Sequence, residues 1–219
     1  MSKMIITAQE AAEHIKDGMT LMIGGFMACG TSESIMDAIV ARRTSNLTVI
    51  GNDAGLENTG IGKLISAGLV KKLIASHIGL NPLVGKLMNE GALEVVLTPQ
   101  GTLAEQVRAG GAGLGGVLTP TGLGTSVQDG KEVIAVDGKE FLLEKPLRAD
   151  AALLLGSVVD KEGNILYKGT TRNFNPLMAT AADLVIVEAE TLVETGEIEP
   201  EAVVTPGIFV DYIVIGGSV

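Results

Sequence analysis

Tryptophan is absent from this chain, cysteine occurs once, and histidine and tyrosine occur twice each. The lone cysteine, Cys29, excludes an internal disulfide and fits a reducing compartment. Two histidines and one cysteine are too few for most zinc sites, and none has metal-ligand spacing, so no metal is expected. Aromatic residues make up only 3% of the chain, so its core must be built from Ile, Leu, Val, Ala and Met. No apolar run approaches the ~20 residues that span a bilayer. The opening segment, Met-Ser-Lys-Met-Ile-Ile-Thr-Ala-Gln-Glu, lacks the apolar centre of a signal peptide. A cytoplasmic protein is expected.

Positive charge is scarce as well. Lys and Arg total 16 against 26 Asp and Glu, a formal net charge of −10. Such a surface repels nucleic acid and anionic membranes, and no basic stripe interrupts it. An anionic ligand must then be held by a local site rather than by the overall field. What is abundant is glycine, 29 of 219 residues, gathered at the ends of apolar runs. No internal repeat, low-complexity tract or linker divides the chain, so one domain over residues 1–219 is expected.

The most informative stretch is Asp17 to Ser32. Asp17-Gly18 is a turn signal, and Met19 to Ile23 has the length and composition of a buried strand. Gly24 and Gly25 end it. Thr31 or Ser32 can then cap a helix carrying Ile35, Met36, Ile39 and Val40 at helical spacing. A strand that breaks into glycines and enters a helix presents bare backbone N–H groups beside a helix N-terminus, a place where parallel sheets bind anions and phosphorylated cofactors. The alternative is a tight turn that only lets strand and helix pack closely.

Around it the chain alternates. Thr7-Ala-Gln-Glu10 is a capping box opening a short helix that Gly18 closes. Leu47–Ile50, Lys71–Ala75 and Leu93–Leu97 read as strands. Asn81-Pro82 starts a helix, with Asn as its cap. Gly51-Asn52-Asp53 is a polar tip at a strand's carboxyl end, facing the ligand crevice or turning on its own backbone. Pro99-Gln100-Gly101-Thr102 reads as an exit loop before a helix that stops at Gly110-Gly111. Asp137-Gly138 between Glu132–Val136 and Lys139–Leu143 signals a β-hairpin. Ala151–Leu155, Leu184–Val187 and Ile208–Ile215 read as later strands, and Gly163-Asn164 as a second hairpin turn. The fold class expected is α/β: a mainly parallel sheet flanked by helices, with a small antiparallel excursion near residues 130–145. Gly111-x-Gly113-x-x-Gly116 matches a dinucleotide fingerprint as a string but follows a helix instead of a strand. Cys29 and His77 lie far apart and read as a small buried thiol and a structural imidazole.

Asp17-Gly18, two further residues, three apolar residues, Gly24-Gly25-Phe26 and Gly30 together resemble the signature of the first subunit of the 3-oxoacid coenzyme A-transferases. Ser32 stands where that pattern usually has proline. Thr98 to Gly116, Asn52-Asp53 and Asn173-Phe-Asn-Pro176 resemble the same family, and the likeness runs from about residue 15 to about residue 212. It implies a CoA-transferase sandwich, like that of ribose-phosphate isomerase, with coenzyme A as co-substrate. The whole string looks most like α subunits serving acetoacetyl-CoA with acetate or butyrate; a succinyl donor is the alternative. Of another class, a sugar-phosphate isomerase-like or ligand-sensing domain would need a Lys/Arg cluster or a DNA-binding segment that the sequence does not supply.

The resemblance also implies roles. The attacking glutamate belongs to a companion β chain of the CoA-transferase, within Ser-Glu-Asn-Gly, in an αβ or α2β2 assembly. Glu57-Asn-Thr-Gly60 comes nearest in this chain and reads as a solvated loop. Gln100 corresponds to the family's oxyanion donor, Asn52 to a residue of the acyl pocket, and Gly24, Gly25, Phe26, Met27, Ala28, Cys29 and Gly30 to the CoA-associated loop. A glutamine amide suits an oxyanion because it donates a hydrogen bond while staying neutral.

Overall fold

The structure, a computed structural model, describes residues 2–216. Its first half alternates strand and helix: β1 Met4–Ile6, α1 Ala8–His14, β2 Thr20–Ile23, α2 Glu33–Arg42, β3 Leu47–Ile50, α3 Ile61–Ser66, β4 Val70–Ala75, α4 Pro82–Asn89, β5 Glu94–Leu97 and α5 Gln100–Gly111. Strands dominate the second half: β6 Val117–Thr119, β7 Val133–Val136, β8 Lys139–Glu144, β9 Ala149–Gly156, β10 Val158–Asp160 and β11 Ile165–Leu166. The short helix α6 Asn175–Met178 precedes β12 Ala182–Ala189, β13 Leu192–Val193 and β14 Tyr212–Ile215.

Eight strands form one sheet in the order β1-β14-β12-β9-β2-β3-β4-β5. Every pairing in it is parallel. Central strands of such a sheet are covered on both faces, which is why they read as continuous apolar runs. Leu21 and Ile23 of β2 pack toward α1–α4, with Ile15, Ile35, Met36, Ile39 and Leu64. Met22, between them, points to the other face, where Leu103 and Val107 of α5 and Met178 of α6 lie. Each such fully buried side chain contributes roughly 1.5–3 kcal/mol.

The expected antiparallel excursion is a three-stranded sheet, β6-β8-β7. Asp137 and Gly138 turn its hairpin with φ of 48° and 75°, both in the left-handed region, as a type I′ turn requires. The second hairpin, β10 with β11, also forms.

Several local expectations are corrected. The Thr7 capping box forms with both bonds, but α1 ends at His14, and Gly18 belongs to the turn beyond. Residues 207–209 make a 3-10 turn before β14, so the expected strand from Ile208 begins only at Tyr212. Asn81 sits at the N-cap of α4 without a capping bond; its amide instead reaches the Ala54 carbonyl at 3.4 Å. Gln100 is not on a loop but is the first residue of α5, directly after Pro99 at the N-cap.

Candidate active site

The strand order runs outward in both directions from the β9–β2 pair, which makes that pair the switch point of the sheet. Ligands of open parallel sheets bind beyond the carboxyl ends of the strands at such a point. The Gly24–Gly30 loop leaves β2 there, beside the end of β9.

Two asparagines from the far end of the chain hold the loop. Asn175 is fully buried; its Nδ2 donates to the Gly30 and Thr171 carbonyls at 3.0 and 2.8 Å. Its Oδ1 accepts from Leu155 N at 3.3 Å. A Cβ on Gly24 would stand 1.8 Å from that oxygen, so the glycine is required by close approach. Asn173 Oδ1 accepts from Gly25 N at 2.9 Å, and its Nδ2 donates to the Cys29 carbonyl at 3.1 Å. Thr31 donates its hydroxyl to the Gly24 carbonyl at 2.9 Å.

Within the loop, Phe26 and Cys29 exchange two backbone bonds of 2.9 Å across Met27 and Ala28, whose φ values of 50° and 65° are left-handed. Asp53 then ties this turn to the next loop. Its carboxylate, 5% exposed, accepts from Met27 N at 2.9 Å, Asn52 Nδ2 at 2.9 Å and Gly55 N at 2.8 Å. Glu33 adds a second tie, accepting from Gly60 N at 2.8 Å and pairing with Lys63 at 2.7 Å. Burial alone would pull the Lys63 ammonium down, but hydrogen bonds and charge from Asp37 and Glu33 outweigh it and hold its pKa above the ordinary lysine value. With the folded value raised, the contribution from Lys63 is present at neutral pH and is lost as the pH rises through that folded value.

These bonds favour the second of the two readings of the glycine loop, a tight turn. The N–H groups of Gly24, Gly25, Phe26, Met27, Cys29 and Thr31 all have protein acceptors, so most of the loop's backbone is already spoken for. Nor is the N-terminus of α2 open. Ser32 occupies the N-cap position but makes no capping bond, and neither does Thr31, whose hydroxyl goes to Gly24. The cap is Glu188 of β12, which accepts from Ser34 N at 3.1 Å and Ile35 N at 3.2 Å. A carboxylate there satisfies orphan donors and faces the positive end of the helix dipole. Glu188→Ala should therefore lower stability by about 1–2 kcal/mol, measured by urea unfolding.

Phe26, Asn52 and Gln100 come together around one cleft of about 350 Å³. Its apolar walls are Phe26, Ala104, Phe174 and Leu177; its polar groups are Asn52, Gln100, Thr170 and Asn173. None of the eight carries a carboxylate, thiol, imidazole or ammonium. Asn52 is buried, with Nδ2 directed to Asp53, whereas Gln100 is exposed. Ala28, Cys29 and Gly30 face a different cavity, of about 480 Å³, rimmed by Glu33, Glu188 and Glu190. Cys29 is exposed there, correcting the expectation of a buried thiol: the tight turn pushes its side chain outward. His77 is exposed at the end of β4, its ring 3.0 Å from where a Gly79 Cβ would stand. Glu57 is exposed at the tip of its loop.

Asp53, Asn173, Asn175 and Glu188 are the structural residues of this site that local patterns do not single out for these tasks. Asn173-Phe-Asn-Pro176 is distinctive as a string, but its bond to Gly25 spans 148 residues.

A family model described as coenzyme A transferase matches residues 5–216. The chain is 56% identical over 214 residues to the acetoacetyl-CoA:acetate/butyrate CoA transferase alpha subunit of Clostridium acetobutylicum, covering 98% of each. It is 43% identical over 218 residues to the first subunit of a probable succinyl-CoA:3-ketoacid coenzyme A transferase of Bacillus subtilis, covering all of this chain and 92% of the other. In fold it is similar to an acyl-CoA transferase apoenzyme from Escherichia coli O157:H7, with a TM-score of 0.86 and 24% identity. That match covers 98% of this chain and 47% of the longer one.

Proposed function

The chain belongs to the coenzyme A transferase family as an α subunit, and from that premise we propose that it is one half of a two-subunit enzyme moving CoA between short-chain acyl-CoA and 3-oxoacids. The acids are acetoacetate with acetate or butyrate, a reading supported by the higher identity to the relative named for them than to the one named for succinyl-CoA.

The single observation that carries the division of labour is the cleft's lining. Amides, one hydroxyl and apolar walls meet there, and no carboxylate. The companion subunit supplies a glutamate. Its carboxylate oxygen attacks the thioester carbonyl; the C–S bond breaks and CoA leaves as thiolate, giving an acyl-glutamyl anhydride. The thiolate attacks the glutamyl carbonyl, releasing the first acid and leaving a glutamyl thioester. The second acid reverses both steps. Each step passes through an oxyanion, and Gln100 Nε2 donates to it. Asn52, held by Asp53, lines the acyl pocket, and the exposed Phe26 and Met27 of the loop pack against the CoA arm. The complex works without a metal and with coenzyme A as co-substrate.

Purified alone, the chain should show no exchange of CoA between acetoacetyl-CoA and labelled acetate. Mixing it with a β chain that bears Ser-Glu-Asn-Gly should restore exchange. Turnover by the lone chain at the rate of the mixture would overturn the proposal.

A further inference from the structure

CoA carries several negative charges, and this chain carries a net charge of −10. Most of the loop amides, those of Gly24, Gly25, Phe26, Met27 and Cys29, and the α2 N-terminus are already occupied by the protein's own acceptors. The phosphates must be met elsewhere, or by the companion alone.

Many of the chain's cations lie away from the strands' carboxyl ends. Arg42 and Arg43 close α2 at the opposite end of the sheet, and Lys71 and Lys72 begin β4. Lys139 lies in the hairpin, and Lys63 is held by Glu33 and Asp37. Lys168 and Arg172 differ. Lys168 precedes and Arg172 ends the 3-10 turn Gly169–Arg172, whose Thr170 lines the cleft, as does the adjacent Asn173. Both are exposed, and among the described residues neither side chain makes an ion pair or hydrogen bond. Two exposed cations thus bracket the turn whose Thr170 lines the cleft, with the charge of Arg172 also felt by the buried Tyr167 hydroxyl. The turn beneath them is fixed, because Asn173 and Asn175 bond the Thr170 and Thr171 carbonyls at 2.8 Å each.

Resting on the functional reading above, we infer that Lys168 and Arg172 form this chain's anion site for the phosphate groups of CoA. The acyl end enters the cleft, and the pantetheine arm runs out past the turn to the two cations. Arginine presents a planar fork to a phosphate and lysine a point charge, so the pair can hold a mobile, multiply charged group.

The test uses the assembled complex with acetoacetyl-CoA and acetoacetyl-pantetheine, which lacks every phosphate. The double variant K168A/R172A should lose ~10²-fold in kcat/KM with acetoacetyl-CoA and less than about 3-fold with acetoacetyl-pantetheine. Arg172→Lys, in an otherwise unchanged chain, should keep most of the preference for the CoA substrate. The salt dependence of KM for acetoacetyl-CoA should weaken in the double variant. Dephospho-CoA thioesters separate the two sources of phosphate. If they show the same loss, the diphosphate is the group held; if they show none, the 3′-phosphate is. Equal losses with both acyl donors, or no loss with either, would overturn the assignment. A wild-type complex that transfers no CoA at all would instead refute the functional reading. If the double variant fails to assemble, Lys168→Gln and Arg172→Gln singly carry the same comparison.

Discussion

Gly24→Ala should lower stability by about 3 kcal/mol, combining overpacking with disruption of buried hydrogen bonds. The added methyl would lie 1.8 Å from Asn175 Oδ1 and 2.5 Å from its Cγ. Asn175 has no room to move: it is fully buried and bonded to Gly30, Thr171 and Leu155. Displacing it releases the Gly30 carbonyl and the turn that bears Thr170. For a chain of this size the thermal midpoint should fall by roughly 6–12 °C. Gly85→Ala is the matching control, since that helical glycine has nothing within 4 Å of its added Cβ. It should be neutral or stabilise by up to about 1 kcal/mol. Equal midpoints for the two variants would show that the Gly24 contact relaxes freely.

The second large effect is on turnover. Gln100→Ala in the assembled complex should lower kcat by ~10²-fold, the loss typical of removing one oxyanion donor. Gln100 is the first residue of α5, exposed and without a side-chain hydrogen bond among the described residues. Truncating it leaves nothing buried unpaired, so unfolding stability should stay within about 0.5 kcal/mol of wild type. Separating kcat from KM is decisive. A role confined to the transition state lowers kcat and kcat/KM together, whereas a binding role raises KM and leaves kcat alone. An unchanged kcat in the assembled complex would remove Gln100 from the mechanism.

Features set by neighbouring residues are legible in the sequence. The Thr7 capping box lies within four consecutive residues, the Asp137-Gly138 hairpin needs only its turn chemistry, and buried parallel strands announce themselves as apolar runs. The misreadings share a cause. Ser32 has a capping residue's chemistry, but the cap comes from Glu188, 154 residues from Ser34, because β12 delivers a carboxylate to the start of α2. The glycine loop suggests free N–H groups, yet the fold brings Asn173 and Asp53 to claim two of them. Ile208 reads as strand by its apolarity but lies 84% exposed in a 3-10 turn that begins at Gly207. Met4–Ile6, a short edge strand, carries too little pattern to be seen. Pro99 suggests a loop at Gln100, whereas proline equally suits the entry to a helix.

The cleft lining bears on how acidity will affect the assembled enzyme. Asparagine, glutamine and threonine neither take up nor release protons across the range in which such enzymes work. This half of the pocket therefore presents the same face to substrate from mildly acid to alkaline solution. On the proposed division of labour, a bell or shoulder in the reaction's response to proton concentration would report groups outside this lining, the companion's carboxylate and the exchanged acids first among them.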